Sequence, residues 1–132
     1  MNNKRIVIVG DGAIGLFLSV LLSQQHSVTL IGKHCDDRSR ALRVIGHRSI
    51  TGRQIAEVHV ASPAALDACT RAAVVFICVK ARDFASLANI FSRFPDTAPV
   101  VFVQNGLGIV ERARAHGLQT GEFYWRILNR CG

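Results

Sequence analysis

The sequence predicts an α/β domain whose sheet is mainly parallel and covered by helices on both faces. Three observations carry that reading. Short runs rich in Val, Ile and Phe alternate with segments of helical period, the pattern of successive βαβ units. Two of those runs, Ala73–Val79 and Val100–Val103, are apolar throughout, as strands buried on both faces must be. Between the first strand and the first helix stands Gly10-Asp11-Gly12-Ala13-Ile14-Gly15, a G-x-G-x-x-G turn.

Taken in order, Ile6–Val9 reads as the first strand. Gly10 then lets the chain turn sharply, Gly12 lets backbone approach a pyrophosphate, and Gly15 lets the following helix pack on the sheet. The helix runs from Ala13 to about Gln25 with Leu16, Phe17, Val20 and Leu21 expected on its inner face, and Val28–Ile31 is the next strand. A strand, this turn and a helix in that order make the fold Rossmann-like. A diphosphate would sit on the free N–H groups of the helix's first turn.

From Ala41 to Ala61 the pattern weakens into Leu42–Ile45, Ser49–Ile50 and Ile55–Val60 with a Thr51-Gly52 turn, an irregular strand or hairpin region. Ser62-Pro63 caps a short helix through Cys69, and the Ala73–Val79 strand follows. Asp83 is placed to cap a helix in which Phe84, Leu87, Ala88 and Phe91 share one face and which ends before Pro95. After Val100–Val103 comes a helix from about Ile109 to Ala115 stopped by Gly117, then a last strand within Glu122–Leu128. Residues 1–132 form a single domain, long enough to bury a real core.

Composition narrows the class. No apolar run reaches the ~18 residues of a membrane span, and the first strand is too short for a signal peptide, so a cytoplasmic protein with no membrane partner is expected. Cys35, Cys69, Cys78 and Cys131 form no C-x-x-C pair, and the histidines show no ligand spacing, so neither a disulfide framework nor a metal site is read. The net charge of +7 invites nucleic acid, but the basic residues between Gly32 and Arg53 have no interleaved aromatics to stack bases. No nucleic-acid partner is therefore expected, and the cluster is either a solvated face or a local phosphate site.

Ligands of open α/β sheets bind outside the carboxyl ends of the strands, and three such ends carry polar residues. Gly32-Lys33-His34 has no acid where an NAD-specific fold would bind ribose hydroxyls, so Lys33, helped by Arg38 or Arg40, favours a 2′-phosphate and hence NADP. Lys80 follows the Ala73–Val79 strand, either as a contact for cofactor ribose or substrate carboxylate or as a solvated amine. Asn105, in Gln104-Asn105-Gly106, is either an amide beside a ligand or part of an ordinary turn.

The glycine turn, Val79-Lys80-Ala81-Arg82-Asp83 and Val103-Gln104-Asn105-Gly106-Leu107-Gly108 with Glu111 together resemble the N-terminal nucleotide-binding domain of the 2-dehydropantoate 2-reductase (ketopantoate reductase) family over residues 4 to 128. The resemblance implies NADPH-dependent reduction of 2-dehydropantoate, or a similar 2-keto acid, to pantoate on the way to coenzyme A. It implies that Gly10, Asp11, Gly12, Ala13, Ile14 and Gly15 hold the pyrophosphate. It also implies that Lys80 contacts the cofactor and that Asn105, the catalytic residue of this set, lies beside nicotinamide and substrate.

Three departures stand out. Lys33 replaces the arginine common in the family, losing a planar fork while keeping the charge. Asp11 puts a carboxylate inside the phosphate turn. The family's proton-donating lysine belongs to a helical C-terminal domain that has no counterpart in these 132 residues. That points to a truncated enzyme completed by a homodimer partner or a second polypeptide on a bare apolar face, or to a stand-alone NADP-binding or interaction module without turnover.

Overall fold

A computed structural model describes residues 3–32, 38–43, 55–61, 66–103, 108–119 and 124–126. They form strands β1 (Arg5–Val9), β2 (Ser27–Ile31), β3 (Arg38–Arg43), β4 (Ile55–Ala61), β5 (Val74–Ile77), β6 (Val100–Phe102) and β7 (Tyr124–Arg126). The helices are α1 (Ala13–Ser23), α2 (Leu66–Thr70), α3 (Ala88–Phe91) and α4 (Ile109–Ala115), with a 3-10 helix over Ala81–Leu87. The sheet order is β3-β4-β2-β1-β5-β6-β7. Every pairing is parallel except β3 with β4, so the predicted Rossmann-like α/β fold is the observed one.

Because side chains alternate across a strand, β1, β2, β4 and β5 each feed two cores. Ile6, Ile8, Val28, Leu30 and Val58 pack with Val20 of α1 on one face. Val7, Val9, Ile31, Val75, Ile77, Val100 and Phe102 pack on the other with Cys69, Phe84, Phe91, Ile109 and Ala113 from the remaining helices. Burial on both faces explains why these strands read as continuous apolar runs. On the α1 side, Val74, Phe76, Cys78, Val101 and Val103 stay half-buried, whereas their neighbours Val75, Ile77, Val100 and Phe102 are buried.

Three expectations change. Helix α1 turns a partly different face inward: Val20 is buried and Phe17 half-buried as expected, but Gly15 and Ser19 are buried as well, whereas Leu16 and Leu21 are each 38% exposed. A side chain at Gly15 would collide with the Gly10 carbonyl, so α1 must present Gly15, and with it Ser19 one turn on, to the sheet. The middle region is a β3–β4 antiparallel pair that begins at Arg38, before the expected Leu42; the Arg/Ser/Ala alternation suits an edge strand. Residues 44–54, with the Thr51-Gly52 turn, and Ser62-Pro63 lie outside the described residues, and α2 is described from Leu66. Asp83 does not cap its helix. Lys80, extended at φ −72° and ψ 150°, takes that place, and the N–H of Asp83 already donates to the Lys80 carbonyl at 2.9 Å.

Phe84, Phe91 and Phe94 form the aromatic centre of the larger core. The Phe84 and Phe91 rings meet edge to face at 5.4 Å, and Phe91 is fully buried. Phe91→Ala is expected to lower unfolding free energy by about 3–5 kcal/mol, read from urea denaturation. A loss below about 1 kcal/mol would show that this packing does not hold the helices to the sheet.

Candidate functional site

The sharp turn between β1 and α1 is held by backbone. The N–H of Gly10 donates to the Ile31 carbonyl at 2.8 Å, and the N–H of Cys78 donates to the Val9 carbonyl at 2.8 Å, so the ends of β1, β2 and β5 meet. Gly10 has φ +117°, and a Cβ there would lie 2.9 Å from the Cys78 carbonyl. Gly10 and Gly15 are thus required by the fold itself. Gly12 differs: it has ordinary extended backbone at φ −74° and ψ −174°, and no described residue stands within 4 Å of where its Cβ would be. The described packing does not require it to lack a side chain.

That space is a cleft of about 300 Å³ at the carboxyl ends of the strands, lined by Gly10, Asp11 and Gly12, by Ile31 and Gly32, and by residues from Cys78 to Leu87. Gly12 caps α1 without a side-chain hydrogen bond, and the first turn of α1 carries no acidic residue. The first intrahelical bond runs from the Leu16 N–H to the Gly12 carbonyl at 2.9 Å, so the N–H groups of Ala13, Ile14 and Gly15 precede the helical ladder. Helix polarity adds a partial positive charge at the same point. An open floor and backbone donors fit the diphosphate of a dinucleotide.

Of the residues read as binding from sequence, Gly10, Asp11, Gly12 and Lys80 line this cleft. Ala13, exposed Ile14 and buried Gly15 form the first turn of α1 above it. Asp11 and Lys80 are exposed. Lys33 and Asn105 lie outside the described residues; Gly32, just before Lys33, is tied through its N–H to the Ala61 carbonyl at 3.0 Å, and the N–H of Val103 to the Ile77 carbonyl at 3.0 Å.

Arg82, Asp83 and Ser86 also line the cleft and were not singled out as site residues. The 3-10 segment over Ala81–Leu87 carries them, and its apolar period marks only the buried side, Phe84 and Leu87. Burial pushes the Cys69 and Cys78 thiols up to about 12, so both remain protonated and unreactive at neutral pH. Cys78, just past β5, packs as a small hydrophobe as expected. Among the described residues no His, Cys, Asp and Glu group could hold a metal, and no helix is long and apolar enough to cross a membrane.

A mainly parallel sheet with a glycine turn and a helix start at its switch point defines a Rossmann-like α/β domain. The particular family follows from comparison. The model of the family described as ketopantoate reductase PanE/ApbA matches residues 6–122, and the chain belongs to that family. A 2-dehydropantoate 2-reductase of Halobacterium salinarum is 34% identical over 109 residues, covering 79% of this chain and 35% of that protein. The ketopantoate reductase of Ralstonia eutropha shares the fold with a TM-score of 0.64 at 23% identity, covering 92% of this chain and 39% of that one. The lactate dehydrogenase of Eimeria maxima, solved with NADH and oxamate, superposes with a TM-score of 0.62 at 14% identity over 96% of this chain and 44% of that one. The chain spans little more than a third of the length of the family relatives it matches.

The three glycines should separate on substitution. Gly12→Val is expected to fold with stability within about 1 kcal/mol of the parent, a valine at the N-cap being the only loss. Gly10→Ala, forced to positive φ against the Cys78 peptide, should lose more than about 2 kcal/mol. Urea midpoints test this; equal losses at both positions would mean that Gly12 is also a folding requirement.

Proposed function

We propose that this domain holds NADPH for the reduction of 2-dehydropantoate to pantoate, with the pyrophosphate on the turn from Gly10 to Gly15. The observation that carries the reading is the unfilled space at Gly12 beneath an uncapped helix start. Lys80, at the mouth of the cleft, is suited to a cofactor contact. Lys33, next along the chain from Gly32, supplies the cation for a 2′-phosphate, and the absence of an acid between Gly32 and His34 favours NADPH over NADH.

When bound, the nicotinamide supplies the hydride. The chain's own residues bind and orient: Asn105, following β6, places the ketone beside the cofactor through an amide that both donates and accepts hydrogen bonds. Reduction also builds negative charge on the ketone oxygen, which requires a placed proton donor. No residue among these 132 matches the family's donor, and an unassisted proton transfer costs ~10²–10⁴ in rate. The domain by itself is therefore a cofactor holder and a slow reductase.

Calorimetric titration is expected to show NADPH binding roughly tenfold or more tighter than NADH, the worth of one charge-assisted contact, with Lys33→Ala erasing the difference. Equal affinities in the parent would contradict the assignment of Lys33. Following NADPH absorbance with 2-dehydropantoate and the 132-residue chain, turnover is expected well below roughly 1 s⁻¹, whereas a rate at or above that would show that these residues supply the proton donor themselves.

A further inference from the structure

A second cleft, of about 180 Å³, lies at the amino ends of the strands, opposite the dinucleotide site, and its lining is basic. Arg5, Ser27 and Thr29 bound it on the sheet, and Ala68 and Arg71 bound it at the end of α2. Strand register explains the grouping. Arg5 pairs with Ser27 and Val7 with Thr29 in parallel strands, so all four project from one face, the face on which Val9 and Ile31 meet the helices further along. Thr29 pairs in turn with His59 of β4, which is exposed.

We propose that this cleft binds the phosphate group of a small molecule, with Arg5 and Arg71 gripping its oxygens and the Ser27 and Thr29 hydroxyls donating to it. Two guanidinium forks from separate elements suit the several acceptor oxygens of a dianion better than any neutral ligand. The described residues lining the cleft include no carboxylate to neutralise the arginines. Among the described residues Asp67 competes for Arg71: its Oδ1 lies 3.7 Å from Arg71 Nε, with the two side chains 82% and 59% exposed. An exposed pair at that distance contributes little and yields readily to a bound dianion. Small Ala68 keeps the space open, with room beside a phosphate for a short organic body. Ligands of the family's fold class bind at the other end of the sheet, so the cofactor gives these arginines no role.

Inorganic phosphate and glycerol phosphate, each titrated at fixed ionic strength into the ¹⁵N-labelled 132-residue chain, test the site and separate a free phosphate from an ester. Saturable amide shifts are expected at Arg5, Thr29, Ala68 and Arg71, and tighter binding of the ester would identify a phosphorylated metabolite over the free ion. Arg71→Gln, at an exposed position, should leave the urea midpoint unchanged and weaken binding about tenfold; Arg5→Gln with Arg71→Gln should abolish it. Shifts confined to Gly12–Gly15, a response that merely follows ionic strength, or unchanged affinity in the double variant would overturn the proposal.

Discussion

The contact on which the domain depends is backbone against backbone: Gly15 of α1 lies on the carbonyl of Gly10, and Gly10 lies on the peptide of Cys78. Neither approach leaves room for a Cβ. Together they bring the start of α1 and the ends of β1 and β5 to one point, and they set the rotation of α1 about its axis. Ser19, the next residue on that inward line, is fully buried and donates its Oγ to the Gly15 carbonyl at 2.7 Å, so a polar side chain in the interior is satisfied by the helix it belongs to.

From that junction the cleft follows. Gly10 and Gly15 are consumed by packing, whereas no described residue stands where a Gly12 Cβ would be, and Gly12 caps the helix start without a side-chain hydrogen bond. The same parallel topology produces opposite environments at the two ends of the sheet. At the carboxyl ends the cleft is lined by glycines beside the N–H groups of the helix start; at the amino ends, Arg5 and Arg71 provide side-chain charge instead. The two faces of the sheet also differ. One is covered by α2, the 3-10 helix, α3 and α4, whereas α1 covers only part of the other and leaves Val74, Phe76 and Val101 half-buried.

Much of this was legible in the sequence because parallel strands buried on both faces leave an unambiguous apolar signature, as in Val74–Ile77 and Val100–Phe102. The glycine turn was legible for a similar reason, since few backbones need three glycines at that spacing. The inner face of α1 was misread because Ala13–Ser23 is apolar nearly all round, with Ile14 itself 43% exposed, so hydrophobic periodicity could not select an orientation. The spacing of Gly15 and Ser19 held that information and periodicity did not. Arg82 and Ser86 were not legible as site residues because the helical period of this segment marks its buried face, Phe84, Leu87 and Phe91 as expected, and says nothing of which exposed polar positions border a cleft.

The central claim is that the turn from Gly10 to Gly15 is a dinucleotide site and not merely a tight corner of the fold. Amide chemical shifts recorded while NADPH is titrated into the ¹⁵N-labelled chain test it most directly. The account predicts saturable shifts that are largest at Gly12, Ala13, Ile14 and Gly15 and extend to Lys80 across the cleft. Saturable binding that leaves those amides unmoved, or no binding at all, would contradict it.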